Sequence, residues 1–428
     1  MKHDRIPVRA TDTLYSAAFY NIDCAEYWHA DSSEKKAPNH DFVCDGIASL
    51  PAAPLALLKW ARDHNFPWDE DTCANAAEAG RLDILQWARE NGCPWDSKTC
   101  RDAARGGHLN ILKWARANGC PWDEKACGHA AHEGQLECLQ WLHENGCPWD
   151  SGTCLAAAAG GQIQCLQWAR ANGCPWDENT CTFAASYGYF EIVQWAHDNG
   201  CPWNSYTCTY AARNGHMDIL KWARDKECPW DEETCAHAAQ YNHLDVLKWL
   251  LENGCPWDTQ TCSFAAENGQ LEIIQWARDN DCPWNAETCT LAAREGHIAI
   301  LQWAHENGCP WNEYTCALAA GYGHLEILKW ARENQCPWNV STCSFAAEGG
   351  HLNILQWARE NGCEWDETTC SGAAGEGRLE VLKWARENGC PWDSRTCEAA
   401  AGEGQSECLQ WALENGCPEE EDSDNSDY

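Results

Sequence analysis

The residues best able to do chemistry in this chain are its 31 cysteines, and most of them stand in two columns. One column runs from Cys73 to Cys397 and the other from Cys93 to Cys417, both in steps of 27 residues. Across the intervening turn they read C-x6-C, as in Cys93 and Cys100, and thiol pairs at fixed spacing could ligate zinc or close disulfides. No apolar run follows Met1-Lys2-His3-Asp4-Arg5, so no secretory route is expected and the thiols should meet a reducing compartment, where disulfides are rare. Histidines form a weaker column (His108, His216, His243, His297, His324, His351), but Gln135, Gln162, Arg81 and Tyr189 fill the same place. A metal ladder would not tolerate that mixture, whereas a hydrogen-bonding surface residue between helices would. Two tryptophan columns could stack bases, yet one lies in an apolar stripe and the other beside proline, which points to packing. There is no glycine-rich phosphate loop, no G-x-S-x-G and no H-E-x-x-H. No enzyme, no metal site and no cofactor are expected.

What positions these columns is a repeat. Trp68, Trp95, Trp122 and their successors to Trp392 recur every 27 residues without an insertion, and a fixed period in this range means a solenoid or propeller. Counting each unit from its Thr-Cys, thirteen copies start at Thr72, Thr99, Ala126 and onward to Thr396. A degenerate copy covers 45–71, and Thr13 to Trp28 fits the first part of the unit loosely. Position 25 is always Asp or Asn, as in Asp96, Asn204 and Asn312, the residue types that cap a helix N-terminus. The first helix should run from this cap to position 8. Gly107, Gly134 and Gly161 at position 9, with Asn242 as the one substitute, suit a left-handed C-terminal residue. Positions 11, 13, 14, 16 and 17 carry Leu, Ile, Leu, Trp and Ala, the apolar face of a second helix that ends at glycines such as Gly92 and Gly119. Pro-Trp then forms an extended turn. Position 2 shares a stripe with the constant Ala-Ala, so the thiols there should pack as small apolar groups. The expected fold is an all-helical solenoid over 45–418, preceded by an irregular cap at 1–44 and followed by an acidic, unpacked tail at 419–428.

The stretch Thr-Cys-x-x-Ala-Ala-x-x-Gly-His-Leu-Glu-Ile-Leu-Lys-Trp-Ala-x-Glu-Asn at 315–334 resembles the ankyrin repeat. Cysteine replaces that family's proline, and the connection from Gly92 to Thr99 is shorter, giving a period of 27 against about 33. The residues missing are those of the projecting β-hairpin finger. The resemblance implies a scaffold that binds a partner protein on the first-helix face.

That face, positions 27, 4 and 8 flanked by 3 and 7, varies from copy to copy. Between 180 and 345 it is aromatic: Phe183, Tyr187, Tyr206, Tyr210, Tyr241, Phe264, Tyr314, Tyr322 and Phe345. Such side chains are enriched at protein interfaces. At its N-terminal end Lys98, Arg101, Arg105, Lys125, His129 and His132 form a basic cluster that could receive an acidic peptide or the chain's own tail. The net charge of -35 would repel a phosphate backbone, and no apolar run reaches membrane-spanning length. The expected protein is a monomer of the cytoplasm or nucleus that binds neither nucleic acid nor membrane. Two other function classes stay open: an adaptor recruiting another machine, such as a ubiquitin ligase, through 1–44, and a thiol-rich metal or redox protein.

Overall fold

The structure, a computed structural model, describes residues 43–418. Among these it contains 28 α-helices and no strand. The segments 1–42 and 419–428, with the loose copy at Thr13 to Trp28 and the acidic tail, lie outside the described residues. No described helix is long and apolar enough to cross a membrane.

Each complete repeat folds as two nine-residue helices, for example Ser97–Arg105 and Leu109–Ala117. The Asp96 carboxylate accepts from the Lys98 backbone N–H at 2.9 Å, filling one of the orphan donors at the helix start. The first helix closes one residue earlier than expected, with Gly106 at its C-cap. Gly107 follows at φ 72°, and the His108 N–H returns to the Ala103 carbonyl at 2.9 Å in a Schellman closure. The second helix closes the same way, Cys120 N–H to Ala115 O at 3.0 Å, with Asn118 Nδ2 on the Trp114 carbonyl. Where glycine is missing the backbone still turns left-handed, at Asn242 (φ 64°) and Gln335 (φ 66°).

The core lies between the helix layers. Position 13 and 14 residues such as Ile111 and Leu112 are fully buried, as are the paired alanines Ala103 and Ala104. Because the first helices face each other through Ala, Cys and Thr, consecutive ones pack closely. Consecutive second helices, spaced by Leu, Ile and Trp, barely touch. Within a stack this makes the first-helix side the tighter, inner side. The chain divides into two compact units, Met1–Thr207 and Cys208–Tyr428, each built on this plan.

Candidate functional site

The thiols are the first candidates to be placed. All thirty described cysteines are free and buried. The pairing differs from the spacing seen in sequence: Cys93 hydrogen-bonds Cys73 of its own repeat, not Cys100, whose partner is Cys120. The Cys93 S–H also reaches the Asp69 carbonyl at 3.2 Å, a bond that recurs down the column to Cys417 and Asp393 at 3.4 Å. Cys181, Cys201 and Ala196 form one buried cluster walled by Trp176, Trp195 and Trp203. The bond to Cys73 and then burial push the Cys93 thiol well above its ordinary range, while burial above all raises Cys138 and Cys165 to about 11. In other pairs the partner bond lowers one thiol, as in Cys100 and Cys174, but burial keeps these sulfurs from outside reagents and ligands. No group of three or more His, Cys, Asp or Glu able to hold a metal occurs among the described residues.

The tryptophans are half-buried and form a ladder on the second-helix side. Trp95 stands edge-on to Trp114 of the next repeat, centroids 5.9 Å apart, and the Arg89 guanidinium lies 4.1 Å over the Trp95 ring. Where position 18 is histidine, the ring stacks instead, His143 on Trp149 at 3.9 Å. The sequence carried this signal, since Arg or His precedes Pro-Trp or Glu-Trp by the same interval in every copy but the one with Leu251, but only contact reveals the stacking.

The variable face of the first helices is different. In the first unit Phe183, Tyr187 and Tyr206 are exposed, Tyr187 by 58%. In the second unit Tyr241, Tyr314 and Tyr322 are exposed, while Tyr210, Phe264 and Phe345 are half-buried. The half-buried three sit at position 4, as does Phe183, the least exposed of the others, whereas the exposed tyrosines sit at positions 8 and 27. Arg213 donates to the Tyr241 hydroxyl at 2.6 Å and lies 4.6 Å over its ring. His237 packs against Tyr241 and Phe264, at 6.4 and 5.9 Å between centroids. Sequence reading passed over His237, Leu291 and Leu318, which share the position 4 column, and Arg213 at position 7. It also passed over Tyr189, exposed at position 10.

The six basic residues fall together on the first unit, but their charge is locally met. Lys98 is 2.6 Å from Asp71, and Arg105 pairs with Glu78. Arg101 lies 3.5 Å from Asp102, and His132 is 3.0 Å from Glu133. Lys125, His129 and His132 line a recess of ≈ 520 Å³ whose walls also carry Glu124, Glu133 and Asp150.

Stacked two-helix units without strands define the class as a helical-repeat solenoid protein. A family model for ankyrin repeats, in three copies, matches residues 182–261, so that stretch carries ankyrin repeats. No curated protein matches the chain. Among solved structures, the crystal structure of the pentatricopeptide repeat protein PPR10 from maize is similar at 14% identity, covering 94% of this chain and 77% of that one. The TM-score is 0.33, too low to carry an argument.

Proposed function

We propose that the protein is a non-enzymatic scaffold that binds a partner protein on the variable face of its first helices. The observation that carries this reading is the run of exposed tyrosines, Tyr187, Tyr206, Tyr241, Tyr314 and Tyr322, on a face whose opposite side is constant. Large aromatic side chains left in water at recurring positions are costly to solubility and mark interaction surfaces. Ankyrin repeats in 182–261 support a protein-binding role. Partners captured from lysate by the intact chain and lost with a Tyr206→Ala/Tyr241→Ala/Tyr314→Ala/Tyr322→Ala variant of equal thermal stability would support it. Identical partners would count against it.

The adaptor reading rests on 1–44, which the described residues scarcely touch, and a chain lacking that segment tests it. The thiol reading has little to support it, since every described thiol is buried.

A further inference from the structure

Five consecutive first helices of the second unit, from Glu232–Gln240 to Val340–Glu348, present an apolar line at position 4: His237, Phe264, Leu291, Leu318 and Phe345. Leu291 is buried, at 9% exposed, and the other four are half-buried, so four of the five rungs offer an edge to a ligand. The charge beside this line is one-sided. Arg294 is the one Lys or Arg in these five helices, and Glu267 and Glu295 already hold it. Four further carboxylates at their N-terminal ends, on Glu232, Glu233, Glu287 and Glu313, make no ion pair among the described residues.

Acids in a first turn stabilise the helix end, which accounts for their position but not for the missing cations. In the first unit the same face answers two of its acids, Asp71 with Lys98 and Glu78 with Arg105. Further along the second unit Arg395 answers Glu367, but across these five helices the complement is left for something else to supply. The chain's own tail cannot, because residues 419–428 hold only acidic charge. A nucleic acid would be repelled by the same carboxylates.

The spacing constrains the shape of the occupant. Closely packed helices stand roughly 8–10 Å apart. Three residues of a polyproline-II segment advance about 9.3 Å and return a side chain to the same side. A β-strand alternates every two residues and falls out of step with such rungs.

We propose that the segment bound along this face, accepting that the face is the interface, is a basic, extended polyproline-II-like stretch of a partner protein. It would span the five helices with about 12–15 residues, setting an apolar side chain on each rung and Lys or Arg toward the carboxylate edge.

The test is selection of a random 15-residue peptide library displayed on phage against the full chain. Enriched peptides are sorted by whether they still bind two surface variants, Tyr241→Ala/Tyr322→Ala and Glu233→Lys/Glu287→Lys/Glu313→Lys. The expected peptides are basic, carry apolar residues at every third position, and bind both variants at least about tenfold more weakly. Face-dependent peptides that are acidic or neutral, or whose apolar residues recur at i and i+4, overturn this proposal and leave the scaffold reading standing. A library yielding no peptide sensitive to either variant overturns both.

Discussion

The Nε2 of His108 lies 2.9 Å from the carbonyl oxygen of Glu78 on the first helix of the preceding repeat. A carbonyl can only accept, so the ring proton sits on Nε2. The contact recurs as His297 to Glu267 at 3.1 Å and His324 to Arg294 at 2.9 Å, and Arg378 Nε makes it to Glu348 at 3.0 Å. In each case the position 10 side chain lies over the left-handed glycine upstream, as His108 does over Gly80. The column expected to hydrogen-bond between helices does so from one repeat to the next.

Removing that bond should weaken the stack without unfolding a helix. His108→Ala is expected to cost about 1 kcal/mol, the net value of one hydrogen bond. His108→Gln should cost less, because Gln135 and Gln162 lie over the corresponding glycines. Urea denaturation of the three proteins checks the order, and equal midpoints would dismiss the bond as an energetic element.

The glycine columns should separate by what lies above them. A methyl on Gly107 would meet the Gln135 side chain, whereas one on Gly119 has nothing within 4 Å. Both positions are left-handed, at φ 72° and 83°. Gly119→Ala should therefore cost about 1 kcal/mol from backbone conformation alone, and Gly107→Ala clearly more. Conversely Gln335→Gly, at φ 66°, should stabilise by a few tenths to about 1 kcal/mol. A reversed ranking of melting temperatures would contradict this.

Asp45 takes the place that Thr occupies in later copies, buried and accepting a bond from the Thr72 hydroxyl. Burial raises its carboxyl to about 6. A carboxyl that binds its proton more tightly when folded costs stability as pH rises from about 4 through 6, and the penalty persists above. Asp45→Asn keeps the acceptor and loses the charge. It should stabilise by about 2 kcal/mol at pH 7 and by much less at pH 4, a difference read from paired denaturation curves at the two pH values.

Thiol labelling tests the paired cysteines. With every described thiol buried, an aromatic disulfide reagent should modify few cysteines in the folded chain and all of them in denaturant. Rapid labelling of Cys73 or Cys93 in the folded state would mean that the repeat core opens readily, and would revive a redox role.

The tryptophan ladder predicts which substitutions position 18 accepts. Arg332 stacks 4.1 Å over Trp338, and His305 stacks 3.9 Å from Trp311. Arg332→His should therefore be close to neutral, while Arg332→Ala loses a cation–π contact of about 1 kcal/mol and the bond from its guanidinium to the Cys336 carbonyl. Equal losses for both variants would show that stacking contributes nothing there.

Much of this protein was determined by its sequence alone. The period, the Asp or Asn caps and the two left-handed closures are local requirements of a helix end, and each residue type states its own. Asp96 caps the helix it precedes, and Gly107 turns left because little else does so cheaply. Burial of the position 2 thiols followed from their stripe with Ala-Ala. Tertiary structure alone decided the rest, because those contacts join residues that no local rule connects. Cys93 could pair seven residues forward or twenty back, and the stacking of the two helices selects Cys73. Likewise, the exposure of Tyr322 but not of Phe345 depends on where the next first helix lies, and the neutralisation of Lys98 and Arg105 depends on acids one repeat away. Helix ends are settled within a few residues of chain, whereas faces are settled by neighbours.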